Sequence, residues 1–410
     1  MDFEVAYTTE QERFRADVRA FLQQRYDAAR LPDRAVESLT LEQNAYLREL
    51  GLALGGRGWL HPTYPKEYGG GGLDVEHAVV IEEEMHRLGL RLPPYYDSGG
   101  RLAGASILVW GAEEQKRFFL PLIFGGRISA WQLMSEPGAG SDVAAISSRA
   151  VKDGDSYVLN GQKTFVGSAY PSEWYFTLML TDPTGPRHRN LSWFMVDASL
   201  PGITVQPLEM LTANHGEGMP IGAKNSVFMD DVRVPAACLI GGENNAWQVN
   251  TTAMELEHGG AGGIGRSRAA GAMLDYFRGQ AGDPANDNER RERLDSLADL
   301  FIDADITRLF GLRNYFLSAN DLDRSYEGSQ YSMQRKTSEP RIARHVQDIL
   351  GHQALTSDPA YALDSGHIEQ HQRSSLVGLH PGGTVEIQKL IIARRIGIGR
   401  SDKEASGTIR

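Results

Sequence analysis

Apolar side chains in residues 10 to 25 recur at helical spacing, with Phe14, Val18, Phe21 and Leu22 on one face, and predict an amphipathic helix. "HAVVIEEEMHRLGL", after the glycine cluster Gly69 to Gly72, predicts another, and "EEQKRFFLPLIFGG" a third that closes at its glycines. From about Ile128 to Ile240 the pattern changes to short β-rich runs separated by turn residues. In "SYVLNGQKTFV", Asn160 and Gly161 stand between two strand-like halves and predict a hairpin, because both turn positions tolerate positive φ. "WYFTLMLTD", "LSWFMVD", "GITVQPLEM" and "NSVFMDDVRVP" follow at intervals typical of an antiparallel sandwich or barrel. After "LIGGENNAW" the helical period returns in "RRERLDSLADLFIDADITRLFGLRNYF", where Leu294, Leu297, Leu300, Phe301, Ile306 and Leu309 supply an apolar face. The expected organisation is an α+β multidomain chain: a helical domain over 1–128, a β-barrel or sandwich domain over 129–240 and a helical bundle over 241–410.

Bulk properties narrow the classes of function. A chain of 410 residues, 41% hydrophobic and 23% charged, fits two or three globular domains and not a disordered segment. Lys+Arg 42 against Asp+Glu 53 leaves a formal net charge of −11, which argues against nucleic acid as a partner. The single cysteine, Cys238, can form neither an intrachain disulfide nor a thiolate metal site, so a reducing compartment is expected. "MDFEVAYTTEQERF" has acids where a secretory leader needs a basic region, and no run reaches the ~18 apolar residues of a membrane span. The expectation is a cytoplasmic protein without membrane segments.

Gly260, Gly262 and Gly265 in "GAGGIG" satisfy G-x-G-x-x-G, but "TTAMELEH" before them does not read as a buried parallel strand, so a dinucleotide fingerprint is disfavoured. "HIEQH" places His367 and His371 one helical turn apart without an evident third ligand, and reads as a solvated polar segment; no metal is expected. "WQLMSEPGAGSD" is more informative. Gly138 and Gly140 allow close backbone approach and Ser135 and Ser141 offer hydroxyls, so it is either a ligand loop or an ordinary capped turn. "HPGGTVEIQKLIIARR" opens an apolar-periodic run on two glycines and a threonine, as a helix start aimed at an anionic ligand would. No carboxylate or imidazole follows Pro381 before Glu386.

Four blocks in order, "MSEPGAGSD", "NGQKTFVGSA", "DDVRVPAACLIGGENNAW" and "GGTVEIQKLIIAR", resemble the acyl-CoA dehydrogenase family, flavoenzymes that oxidise the α,β bond of acyl-CoA thioesters. The resemblance covers most of the chain from Tyr64 onward. It implies FAD bound along Gln132 to Ser141, with groups near Met134 and Ser135 on the isoalloxazine's polar edge, Gly140 beside them, and Ser141 touching both cofactor and CoA. Phe165, Val166 and Gly167 would cover the flavin's other side, with Phe165 where an aromatic usually stacks, and Thr384 and Glu386 would also belong to the cofactor site. Three departures stand out: Gly167 where a serine or threonine is frequent, "FRGQAGDPANDNE" in place of the R-x-x-F-G motif, and "DILGH", Asp348 to His352, in place of Q-x-x-G-G.

Many members carry the catalytic glutamate where this chain has Gly382, which has no side chain to abstract the α-proton. In a subset the glutamate lies on a helix of the last domain, and "AMELEHGGAGG" resembles that place, with Glu257 as the base. Glu255, His258 and, through its amide, Gly383 are the implied substrate contacts, and a water-shielded carboxylate has the raised basicity the reaction needs. The glycines after Glu257 suggest room for a branched or bulky acyl group. The expected partners are acyl-CoA, an electron-transferring flavoprotein as acceptor, and a homo- or hetero-oligomer. The alternatives are a heteromeric subunit without its own complete site, a flavin oxidase or monooxygenase, and a non-enzymatic binding protein on the same fold.

Overall fold

The computed structural model describes residues 7–31, 38–88, 90, 98–168, 170–212, 219–220, 224–250, 252, 265, 267–279, 287–358 and 360–398. They form two compact units, one within Tyr7–Leu31 and Glu37–Glu257, the other within His258–Arg410.

The first unit begins with helices whose starts are written in local sequence. α1 (Thr9–Arg25) opens at Thr8, whose hydroxyl accepts from the Gln11 amide while the Gln11 side chain accepts from the Thr8 amide. α2 (Leu41–Gly55) repeats this reciprocal cap with Thr40 and Gln43, and α3 (Val75–Arg87) is capped by Asp74. Val18, Leu22, Leu47, Leu50, Leu54, Ile81 and Met85 from these helices share one core. Two further helices, α4 (Ser98–Trp110) and α5 (Glu113–Phe124), pack Ile107, Phe119, Leu120 and Phe124 onto the sheet that follows.

A two-residue ladder joins β1 (Ser38–Leu39) to β8 (Met219–Pro220). The main sheet contains β2 (Ala130–Leu133), β3 (Arg149–Asp153), β4 (Ser156–Val166), β5 (Trp174–Leu180), β6 (Leu191–Asp197), β7 (Ile203–Leu208), β9 (Lys224–Pro235) and β10 (Leu239–Ile240). One half is β10, β6, β5 and β2, with β2 running parallel to β5 from Ala130↔Trp174 to Leu133↔Thr177. The other is β3, β4, β9 and β7, and the halves join at the single parallel pair Arg149↔Leu180. Trp131, Tyr175, Met179, Phe194 and Val196 from the first half share a core with Tyr157, Leu159, Val166, Val227 and Val234 from the second. That is the sandwich character expected from the strand spacing. The opposite faces of β5 and β6 present Phe176, Leu178, Trp193 and Met195 to α4 and α5, which is why these strands read as continuous apolar runs.

The hairpin expected at Asn160–Gly161 is absent. β4 runs unbroken through it, with a register shift against β9 between Leu159 and Gly161. Asn160 is spent on Asp231, accepting from its amide (2.9 Å) and donating to its carboxylate (3.0 Å). At Gly161, φ is +149°, and a Cβ would lie 2.2 Å from Ser148 Oγ, so the glycine serves a close approach. The hairpin turn is instead the one between β3 and β4, at Asp153↔Ser156, where Gly154 takes φ +66°.

In the second unit, α6 (Arg268–Gly279), α7 (Asp287–Ala319), α8 (Glu327–Leu350), α9 (His367–Val377) and α10 (Val385–Arg395) follow in order. Ala269, Met273, Leu300, Ile342, Val346, Ile349 and Ile368 form the core, with Leu297 and Phe301 packed at its margin. The apolar face expected on α7 divides. Leu294, Ile306 and Leu309 are 43%, 38% and 49% exposed, beside Ile302, because the helix carries two apolar stripes and only one is covered. "HIEQH" is the first turn of α9 and not a solvated segment: Ile368 is buried, and His371 Nε2 lies 2.8 Å from Glu339. Among the described residues, no helix is long and apolar enough to cross a membrane.

Glu84 ties α3 to α1. Its side chain is 2% exposed and meets Arg19 through two bonds of 2.9 and 2.7 Å and Arg87 at 3.1 Å. The Arg19 hydrogen bonds, helped by Arg87, outweigh burial and hold the carboxyl at about 2, below its ordinary 4.5. A depressed acid contributes stability above its unfolded value that is lost as pH falls through the folded one, here about 3 kcal/mol between pH 4.5 and 2. Urea unfolding of Glu84→Gln at pH 7 and pH 3 should therefore show an acid-induced loss smaller than wild type by about 2 kcal/mol, the share already lost at pH 3. Equal losses in both proteins would remove Glu84 from the acid response.

Candidate active site

The segment after β2 and the end of β4 are joined side by side. The Thr164 amide donates to the Ser135 carbonyl (2.9 Å), and Lys163 Nζ donates to the Met134 carbonyl (3.2 Å) and to Glu136 Oε1 (2.8 Å). Lys163 is fully buried and Glu136 nearly so. Glu136 also accepts from the Ser147 amide (2.7 Å), the Ser147 hydroxyl (2.9 Å) and the Ser148 amide (3.0 Å). Burial pushes this carboxyl up, but Lys163 and the serine donors outweigh it and hold it well below the usual carboxylate range. Burial draws Lys163 down against the pull of Glu136, which lies 2.8 Å away.

The Glu136 backbone pairs with Ala139 in both directions, closing a tight turn over Pro137 and Gly138. A side chain added at Gly138 or Gly140 would meet nothing within 4 Å. Ser141 and Asp142 are exposed, and Asp142 pairs with Arg187. Gln132, in the ladder opposite Phe176, is half-buried, as are Met134 and Ser135.

Phe165 is the unusual residue. It holds φ at +57°, a conformation that costs a non-glycine residue about 1–3 kcal/mol, and the residue is 61% exposed. Val166 points the other way, into the sandwich core. Gly167, at φ +62°, lies so close to Trp131 that a Cβ would sit 2.3 Å from the indole. The turn is held from β9: Asn225 Nδ2 donates to the carbonyls of Val166 (3.2 Å) and Ser168 (2.8 Å), and Lys224 Nζ to that of Gly167. An exposed ring on a strained turn, beside half-buried Met134 and Ser135 and a glycine turn opening on empty space, fits a flat aromatic ligand.

The remaining expected residues lie in the second unit or outside the described residues. α10 starts at Thr384, whose hydroxyl accepts from the Ile387 amide (3.4 Å). Gly382 and Gly383 before it take φ +65° and +77°, and Gln388 Nε2 donates to the Gly382 carbonyl (2.7 Å). The buried Lys336 of α8 donates to the carbonyls of Gly378 (3.0 Å) and Pro381, anchoring the loop that leads into this turn. Glu386 stands in the helix's first turn, and hydrogen bonds there, first from its own backbone, hold its carboxyl down. Asp348 is exposed near the end of α8. Glu255, Glu257, His258, Gly260, Gly262 and Gly263 lie outside the described residues.

Sequence reasoning passed over Glu136, Lys163, Lys224 and Asn225, the groups that hold the two loops. A lysine two residues from the aromatic in "QKTFV" and a glutamate within "SEPGAG" were the available signals, but neither shows its partner in one dimension.

Residues 8–127 match the profile of the acyl-CoA dehydrogenase N-terminal domain and residues 132–222 that of the acyl-CoA dehydrogenase middle domain. The acyl-CoA dehydrogenase IpdE1 of Mycobacterium tuberculosis is 29% identical, over 96% of this chain and 99% of that protein. Among solved structures, a protein described as the Tcur3481-Tcur3483 steroid ACAD is 27% identical with a TM-score of 0.80, covering 98% of this chain and 100% of that one. The ChsE4-ChsE5 complex of Mycobacterium tuberculosis contains a chain 25% identical, TM-score 0.78, covering 97% and 100%. The chain belongs to the acyl-CoA dehydrogenase family. It is an enzyme of that class, and FAD is its cofactor.

Gly167 and Gly140 should respond oppositely to the same change. Gly167→Ala combines a left-handed φ with overlap on Trp131 and should cost about 2 kcal/mol or more in urea unfolding. Gly140→Ala, with open space around it, should stay within about 0.5 kcal/mol of wild type.

Proposed function

We propose that this enzyme dehydrogenates the α,β bond of an acyl-CoA thioester carrying a branched or bulky acyl group, steroid-derived in the first instance. The observation that carries the cofactor assignment is the Phe165 turn, an aromatic ring kept exposed on a strained backbone next to the Met134–Ser135 segment. The width of the acyl group rests on relatives described as steroid enzymes and on the glycines that follow Glu257.

In this reading Gln132, Met134 and Ser135 meet the polar edge of the isoalloxazine, Phe165 stacks on its ring system, and the Val166–Gly167 backbone covers it. Gly140 keeps the loop low enough for Ser141 to reach both cofactor and CoA. Thr384 and Glu386 are assigned to the cofactor from the family resemblance. FAD, when bound, accepts the hydride leaving the β-carbon. Glu257 takes the α-proton, and the Gly383 amide donates to the thioester oxygen as negative charge builds there. Glu255 and His258 line the acyl and CoA path. Electrons leave to an electron-transferring flavoprotein, and the compartment assigned is the cytoplasm.

Two features of the sequence favour a second arrangement, a hetero-oligomer in which a related chain completes a shared cofactor site. The R-x-x-F-G motif is replaced, and Asp348 stands where an amide usually faces the cofactor.

Purified protein should carry FAD and lose its visible flavin absorbance when a branched or steroid acyl-CoA is added without oxygen. Glu257→Gln should keep FAD yet slow this bleaching at least a thousandfold; an unchanged rate would move the base elsewhere. One FAD per chain in a homo-oligomer would support a self-sufficient enzyme. One FAD per two chains, acquired only with a co-expressed relative, would support the shared site.

A further inference from the structure

The geometry points to Lys163 as a positioning residue that strengthens the hydrogen bond donated by the Ser135 amide to the cofactor. This rests on the reading above, in which the Met134–Ser135 segment faces the flavin's polar edge.

The Met134 carbonyl and the Ser135 N–H belong to the same planar unit, and no cis peptide occurs among the described residues. In a trans peptide the two bonds point in opposite directions. The carbonyl is aimed at the Lys163 ammonium, 3.2 Å away on a side chain with no solvent exposure. The N–H is therefore aimed away from that buried charge. The next carbonyl, that of Ser135, is taken by the Thr164 amide (2.9 Å), which stops the segment from rotating.

A cation on the carbonyl oxygen draws electron density through the peptide and makes its N–H a stronger donor, an effect that grows where water is excluded. Lys163 is not needed merely to satisfy Glu136, which already accepts from two amides and a hydroxyl of Ser147 and Ser148. Glu136 keeps the ammonium charged and in place, and the ammonium's bond to Met134 carries the effect outward. Phe165 follows two residues later on the same strand end, so one stretch of β4 supplies both the exposed ring and the clamp. A stronger donor at the polar edge favours whichever ligand state holds more negative charge there. Removing the cation should therefore lower both FAD affinity and the midpoint potential of the bound flavin.

The test compares three holoenzymes with wild type: Lys163→Met combined with Glu136→Gln, which avoids an unpaired buried carboxylate; Ser135→Pro, which removes the N–H; and all three changes together. FAD dissociation constants and flavin midpoint potentials are measured, with thermal unfolding to confirm folding. The expected result is an affinity loss of about tenfold and a more negative potential in the first two. The triple variant should show no further shift, because both changes act on one hydrogen bond. Unchanged affinity and potential in a folded Lys163→Met/Glu136→Gln protein, with Ser135→Pro still weakened, would reduce Lys163 to a structural ion pair and overturn the proposal. No effect from Ser135→Pro would instead overturn the cofactor reading itself. If the methionine variant does not fold, Lys163→Gln, which keeps a neutral donor, should give the same direction of shift, and wild-type values there would equally overturn the role.

Discussion

The buried pair of Glu136 and Lys163 is the constraint around which the loop after β2 and the end of β4 are arranged. Two charges taken out of water cost several kcal/mol each, and the cost is recovered only when their remaining hydrogen-bonding capacity is met. Here it is met from three directions: Ser147 and Ser148 on the loop before β3, the Met134 carbonyl after β2, and each other. A single ion pair thus fixes the spacing of three chain segments, at 134–136, 147–148 and 163. A hydrophobic pair of the same volume would pack, but it would leave the Met134 carbonyl without its donor.

The sheet explains why these loops can afford to be irregular. β5 and β6 are covered on both faces, by α4 and α5 on one side and by the second half-sheet on the other. The stability of the unit resides in that layered interior, and β2 and the end of β4 extend from it as edges. The strain held at Phe165 is small beside the burial of Trp193, Phe176 and Phe194. The bonds from Lys224 and Asn225 hold that turn in its uncommon conformation, so the exposed ring is presented and does not collapse onto the sheet.

The second unit uses the same device. Lys336 spends its buried ammonium on two backbone carbonyls of the loop before α10, and Gln388 reaches back to the Gly382 carbonyl. The two glycines at positive φ can then turn directly into the Thr384 cap. In both units a turn has its carbonyls held by a lysine or amide side chain.

Much of this was legible one residue at a time. The helix starts at Thr8, Thr40 and Asp74 need only a side chain and an amide three positions away, and the change from period 3.6 to short β runs marks where helices end and the sheet begins. Local chemistry also marked the glycine turn after Ser135. What sequence reasoning got wrong depended on distant partners. Asn160–Gly161 permits a turn but does not require one, and the chain passes straight through because β9 pairs along it and Ser148 crowds the glycine. Leu294, Ile306 and Leu309 look like core because hydrophobicity alone does not say which of two stripes finds a cover. The pairing of Lys163 with Glu136 and the left-handed turn at Phe165 were decided only by the tertiary structure, since an ion pair and a strained dihedral exist only once distant segments have been brought together and held.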